Sequence, residues 1–178
     1  MRIVAGKYRH RLIEFPNVES TRPTTDKVRE ALMSAIGYDI LNKDVLDLFS
    51  GSGAMGIESL SRGARSCVFV DNNKFAINII KSNLKKIGVS ESYEVIQSDY
   101  LEYLKNNKNK KFSLVILDPP YKEKGIYSNV LSLLKENDMI SEDAIIVMES
   151  DIHFEEDNFF SKMRKYKYGT IHVTIYWR

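Results

Sequence analysis

The chain has little of what equips several protein classes. Its 178 residues contain one cysteine, Cys67, which excludes an intrachain disulfide framework, and three scattered histidines add no metal-ligand cluster at zinc spacing. No metal is expected. Apolar runs such as Leu114–Leu117 and Ala144–Met148 fall far short of a membrane span, and the start MRIVAGKYRHR lacks the apolar stretch of a secretion signal. A soluble, cytoplasmic protein with no membrane contact is therefore expected. Neither sign of charge dominates: 26 Lys+Arg face 24 Asp+Glu, which excludes a disordered polyelectrolyte and a wholesale basic nucleic-acid coat. What is present, 43% hydrophobic and 11% aromatic residues, suffices for one substantial core, and a single domain over 1–178 is expected.

Beyond the first forty residues, short β-rich apolar runs alternate with helical patterns, the signature of a parallel sheet covered by helices on both faces. The spacing predicts strands over Asp44–Phe49, Cys67–Asp71, Tyr93–Gln97, Ser113–Leu117 and Ala144–Glu149. It predicts helices over Ala54–Arg62, Lys74–Ile87, Asp99–Lys105 and Ile126–Lys135. A further helix starts at Thr25 or Asp26, with Val28, Ala31, Leu32, Ala35 and Ile36 forming an apolar stripe. Residues 1–15 read as a small basic hairpin ahead of a core over 25–178, and Pro16 and Pro23 bracket a loop between them. At the other end, 163–168 and 171–177 form an antiparallel hairpin around Gly169, giving seven strands. The Asn/Lys tract 106–111 reads as a solvated connector.

Asp47-Leu48-Phe49-Ser50-Gly51-Ser52-Gly53-Ala54-Met55-Gly56 ends a predicted strand and opens a predicted helix, with G-x-G-x-x-G at 51, 53 and 56. Glycines let the loop turn sharply and let a ligand approach the backbone, while the helix start presents free N–H groups. Asp71 closes the next strand twenty residues after Gly51, where a carboxylate accepts both ribose hydroxyls of an adenosine moiety. These features alone permit NAD or S-adenosylmethionine. Asp47 discriminates: inside the strand end it would repel a pyrophosphate, yet it can reach the ammonium of a methionine moiety. Asp99, ending the third strand, suits both an adenine amino group and the cap of the next helix.

Asp118-Pro119-Pro120-Tyr121 follows the fourth strand at the carboxyl edge, where ligands sit in open α/β sheets. Two prolines lock an extended backbone, so the Asp118 carboxylate and the Pro119 carbonyl form a rigid pair of acceptors beside the Tyr121 ring. An exocyclic base nitrogen is a poor nucleophile because its lone pair is conjugated into the ring. Two acceptors gripping its hydrogens turn that lone pair toward a methyl sulfonium while Tyr121 stacks on the base. The candidate catalytic residues are Asp118, Pro119, Pro120 and Tyr121. The candidate cofactor residues are Asp47, Phe49, Gly51, Ser52, Gly53, Asp71, Asn72, Ser98, Asp99 and Asp118, with Arg22 and Thr24 ahead of the first helix.

The segments Arg22-Pro23-Thr24-Thr25-Asp26-Lys27-Val28-Arg29-Glu30, Asp47 to Gly53, Leu60-Ser61-Arg62-Gly63-Ala64 and Leu117-Asp118-Pro119-Pro120-Tyr121 resemble the RsmD-type bacterial 16S rRNA guanine-N2 methyltransferases across essentially the whole chain. Asp-Pro-Pro-Tyr is shared by many amino-methyltransferases; the Arg-Pro-Thr-Thr-Asp segment and the basic N-terminal hairpin make the resemblance specific. It implies a class I S-adenosylmethionine-dependent methyltransferase (Rossmann-like) fold with a seven-stranded, mostly parallel sheet. It also implies S-adenosyl-L-methionine as cofactor and a guanine N2 of 16S rRNA, within the small ribosomal subunit, as target; the oligomeric state is not set by the sequence, and a monomer is the expectation. Two positions depart from the family: Asp71 stands where Glu is common, and His10 takes the place of glycine in an Arg-Gly-Arg turn.

Charge is segregated. Residues 1–13 carry Arg2, Lys7, Arg9 and Arg11 with no acid, 161–178 are likewise basic, and 142–158 hold seven acids without a base. Basic ends interleaved with Tyr8 and Tyr168 suit phosphate contact plus stacking, and the N-terminal hairpin is the best candidate grip for RNA. Two competing readings are an amino-methyltransferase acting on adenine N6 in DNA or on a protein side-chain amide, and a nucleotide-binding module without catalysis. A DNA enzyme of the first kind normally needs a target-recognition insert for which 178 residues leave no room; the second reading makes Asp118–Tyr121 accidental.

Overall fold

The computed structural model describes residues 1–15, 26–119, 125–152 and 154–178. In chain order the elements are α1 Asp26–Ile36, β1 Asp44–Asp47, α2 Ala54–Ser61, β2 Ser66–Asp71, α3 Lys74–Ile87, β3 Ser92–Gln97, α4 Tyr100–Asn106, β4 Phe112–Leu117, α5 Ile126–Glu136, β5 Ile140–Ser150, β6 Lys162–Tyr168 and β7 Ile171–Trp177. The sheet order is β3-β2-β1-β4-β5-β7-β6, with β7 antiparallel to both neighbours and every other pairing parallel. Residues of β4 and of β5 from Ala144 onward are buried on both faces, as the near-continuous apolar runs require.

One face of the sheet packs Val45, Phe69, Ile116 and Val147 against α1, α2, α3 and the N-terminal segment; the other packs Leu46, Val70, Leu117 and Met148 against α4 and α5. Alternation along each strand assigns successive side chains to the two layers. The predicted stripe of α1 is buried at Val28, Leu32 and Ile36, joined by Met33, while Ala31 and Ala35 are half-buried. A short 3-10 turn at Gly37–Ile40, which periodicity does not signal, links α1 to β1. β5 starts four residues before the predicted strand because a register shift between Phe112 and Leu114 lets Ile140 pair with Phe112.

The N-terminal hairpin is less regular than expected. Arg2 and Leu12 form one antiparallel bridge, flanked by Ile3 N–H to Arg11 and Ile13 N–H to Met1 bonds, with no strand ladder. The segment is instead held by the body of the protein. Lys7 N–H donates to the Ser61 carbonyl at 2.7 Å, Tyr8 N–H to Ser61 Oγ at 2.9 Å, and Val4 and Ala5 N–H to the buried Glu58 carboxylate at 2.9 and 3.1 Å. His10 takes φ +71°, the conformation that glycine adopts most readily at such a turn and that histidine tolerates better than most residues.

Candidate functional site

The strands β1, β2 and β4 all point their carboxyl ends to one edge of the sheet, and the polar groups singled out in the sequence converge there. β1 ends in Asp47, which is only 2% exposed and accepts the Gly56 N–H on Oδ2 at 3.0 Å. Gly56 must be glycine: a Cβ there would lie 2.3 Å from Phe69 Cε1, 2.7 Å from Cys67 Sγ and 3.0 Å from Asp47 Oδ2. Close packing of α2 on β1 and β2 thus brings a helix N–H within reach of the buried carboxylate. Burial pushes the Asp47 carboxyl up to about 7, the Gly56 hydrogen bond opposes this, and the Asp71 charge adds to it.

The loop between β1 and α2 is pinned on both sides. Ser50 Oγ donates to the Asp47 carbonyl at 2.6 Å and accepts the Val70 N–H at 3.0 Å. Asp71 Oδ2 accepts the Gly51 N–H at 2.8 Å, and its Oδ1 accepts the Asn73 N–H at 2.8 Å. Asp71 therefore shapes the glycine loop. Its carboxyl is raised by burial, against the two hydrogen bonds. Asn72 is exposed beside it, and the Asn73 side chain caps α3 by accepting the Phe75 N–H.

At the end of β3, Ser98 N–H bonds the Asp71 carbonyl at 3.1 Å, which joins two candidate cofactor segments. Asp99 is the N-cap of α4, accepting the Leu101 N–H at 2.8 Å. The Phe49 ring packs on Tyr100 with centroids 5.4 Å apart. Asp118 follows β4 half-exposed and Pro119 is buried; Asp47 pairs with Ile116, so Asp118 sits two residues farther along the same edge. The Tyr127 hydroxyl donates to the Glu149 carbonyl, and burial raises its pKa with Asp118, Glu149 and Asp151 adding to the effect. Arg22, Thr24, Pro120 and Tyr121 lie outside the described residues.

Sequence reading missed Asn83. It is fully buried in α3, accepts the Glu14 N–H at 2.8 Å, and donates to the Glu14 carbonyl at 3.0 Å and the Ser52 carbonyl at 2.9 Å. The available signal was a polar residue inside the apolar stripe Ala76, Ile80, Leu84, Ile87. Also missed was the buried centre of Glu58, which takes Arg62 Nε at 2.8 Å and lies 3.5 Å from Arg29 Nε, while Arg29 Nη2 donates to the Arg2 carbonyl.

The basic ends are rearranged relative to expectation. Tyr8 does not present a stacking face: it is 2% exposed, with its hydroxyl donating to Glu91. Lys7 is drawn onto Ser90 and Glu91, whereas Arg9 and Arg11 are exposed. These contacts put the N-terminal segment beside β3, at the opposite end of the sheet from the basic strand β6. A cavity of about 220 Å³ lies at the amino ends of the strands, lined by Asp44, Ser66, Ser92 and Phe112. Its carboxylates are already spent on Arg65 and Lys110, so the carboxyl edge is the better candidate.

The family model described as conserved hypothetical protein 95 matches residues 1–177. The chain belongs to this family. It is 37% identical over 153 residues to ribosomal RNA small subunit methyltransferase D of Haemophilus influenzae, covering 85% of this chain and 79% of that protein. It is 31% identical over 152 residues to the protein of the same name in Escherichia coli K12, covering 85% and 75%. The solved structure of yhhF from Escherichia coli superposes with a TM-score of 0.87 at 28% identity, covering 100% of this chain and 97% of that one. The RsmD-type resemblance and the class I fold are thereby borne out.

Proposed function

We propose that this protein is an S-adenosylmethionine-dependent rRNA methyltransferase that modifies the exocyclic N2 amine of one guanine in 16S rRNA. The observation that carries the reading is the meeting, on one sheet edge, of a glycine loop shaped by Asp71 with the Asp118–Pro119 acceptors two residues beyond the β1–β4 register. The names of the relatives support the rRNA methyltransferase class. The donor set fits the cofactor. Asp71 offers carboxylate oxygens to a ribose, Asp47 offers a buried negative charge to an ammonium, and Asp99 and Ser98 flank the adenine side, with Phe49, Gly51, Ser52, Gly53 and Asn72 lining the loop. Arg22 and Thr24 complete the assignment.

When bound, the cofactor supplies an electrophilic methyl on a sulfonium. Asp118 and the Pro119 carbonyl accept the two hydrogens of the target amine and hold its lone pair out of the base plane, with Pro120 and Tyr121 fixing the turn and stacking the base. Once the amine nitrogen carries the methyl it would hold one surplus proton, which the Asp118 carboxylate would accept and pass to water. The enzyme acts as a single-domain monomer in the cytoplasm on RNA within the small subunit. A structured base must be unstacked to enter, at a cost of a few kcal/mol that phosphate contacts offset. Labelled-methyl transfer to small subunits, naked 16S rRNA and duplex DNA, followed by nucleoside mass mapping, tests this. N2-methylguanine in the small subunit is expected; preferential labelling of DNA, or of adenine in RNA, overturns it.

A further inference from the structure

We propose that the outer face of α3 is a phosphate-binding track that leads rRNA from the N-terminal segment to the catalytic edge, ending on Phe75 as a base-stacking platform. The inference rests on the rRNA reading above and adds where the RNA lies.

Residues 74–90 contain no acid. Lys74, Lys81 and Lys85 stand on one exposed stripe of the helix at i, i+7 and i+11, and among the described residues none of them has an ion pair. Lys86 on the same helix is matched by Glu14, and Lys43, Lys110, Lys111 and Lys135 by carboxylates elsewhere; among the described residues Lys105, Lys108, Lys162 and Lys167 also lack one, but only Lys74, Lys81 and Lys85 form a row along one helix. The stripe is about 16 Å long, about five stacked nucleotides at the rise of one strand. Its lower end is continuous with the N-terminal segment, because the Arg11 guanidinium lies 3.8 Å from the Cβ position of Gly88, the cap of α3.

Its upper end carries Phe75, which is 77% exposed and belongs to neither core cluster. An aromatic ring of that size on the first turn of a helix gives up burial worth about 2 kcal/mol unless something covers it. Nothing among the described residues does. The Phe75 N–H is bound by the Asn73 side chain, and the Asn73 N–H by Asp71, so the backbone that carries the ring is fixed at the carboxyl edge. From β2, where that loop begins, to β4 and Asp118 is two strand spacings, about 10 Å. Cations along a helix and an uncovered ring at its active-site end match a phosphate backbone followed by an unstacked base.

The test uses the intact protein with small ribosomal subunits and 16S rRNA across a potassium chloride series. Lys74→Ala/Lys81→Ala/Lys85→Ala should raise the KM for RNA about 10- to 50-fold near 0.15 M salt and lower the salt slope by about 2, as expected for three lost phosphate contacts. Its kcat, melting temperature and S-adenosylhomocysteine affinity should be unchanged, and the triple arginine variant should restore KM. Phe75→Ala should raise KM without altering the slope. An unchanged KM and slope in the triple alanine variant, with wild-type rRNA labelling intact, overturns the track alone. Loss of cofactor affinity in Phe75→Ala overturns the stacking role. Absence of rRNA labelling by the wild-type protein overturns the functional reading and the track with it.

Discussion

If Asp47 receives the ammonium of the cofactor, binding must expel a proton. The Asp47 carboxyl is raised to about 7 by burial, so near neutral pH much of the cofactor-free protein carries it protonated. Only the ionised form attracts a cation, and apparent affinity then follows the ionised fraction. With a midpoint of about 7 that fraction is about 3% at pH 5.5 and about 76% at pH 7.5, a gain of about 25-fold, or about 2 kcal/mol. Titration calorimetry with S-adenosylhomocysteine, in buffers of different ionisation heat, should record close to one proton released at pH 5.5 and a fraction of one at pH 7.5. The same group sets a stability trend of defined sign. The unfolded carboxyl ionises near 3.8 and the folded one near 7, so between these values the folded state holds the extra proton. The cofactor-free protein therefore loses stability as pH rises from about 4 to about 7, by up to about 4 kcal/mol. Asp47→Asn should abolish both trends and stabilise the cofactor-free protein at pH 8. A flat affinity between pH 5.5 and 7.5 refutes the assignment. So does a slope that survives in Asp47→Asn, which would move the linkage to Asp71, whose carboxyl burial also raises.

Asp118→Ala should lower kcat on the order of 100-fold or more with S-adenosylhomocysteine affinity within twofold, measured by single-turnover labelling and calorimetry, as the proposed grip of its carboxylate on the target amine requires. Gly56→Ala forces a Cβ into Phe69 and Cys67 and should cost about 1–3 kcal/mol in urea unfolding while weakening cofactor binding through Asp47. Glu58→Gln removes the charge facing fully buried Arg29 and should cost about 3–5 kcal/mol, with Arg29→Met/Glu58→Leu recovering part of it.

Much of this was written locally in the chain. Apolar periodicity set the elements to within a residue or two from β1 through α5, because strands buried on two faces and helices buried on one have distinct periods. The glycine loop and Asp71 were readable because their spacing is local to one strand–loop–helix–strand unit, and the dual reading of Asp99 is met at least as the cap of α4. What escaped were polar residues satisfied by backbone groups far along the chain. Asn83 bonds Glu14 from 69 residues away and Ser52 from 31. Glu58 bonds Val4 from 54 residues away. Nothing in the neighbouring sequence marks such a partner; only docking of the N-terminal segment creates it. The same docking turned Tyr8 from an expected stacking ring into a core residue.

That docking ties the N-terminal segment to the glycine loop. The N-terminal segment enters over Ser61 and Glu58, and leaves at Glu14, both of whose backbone polar groups are held by Asn83. The remaining Asn83 hydrogen bond goes to Ser52, the residue between the two glycines of the cofactor loop. A buried amide has no water to replace a lost partner, so each bond it surrenders costs about 1–3 kcal/mol. A pull on Glu14 that displaces Asn83 therefore also removes the donor from the Ser52 carbonyl. The energetically favoured state keeps the segment seated and the loop formed at once. The exposed Arg9 and Arg11 sit on this seated segment, so they are positioned by the same framework that holds the Asp71 and Asp47 carboxylates on the glycine loop and α2.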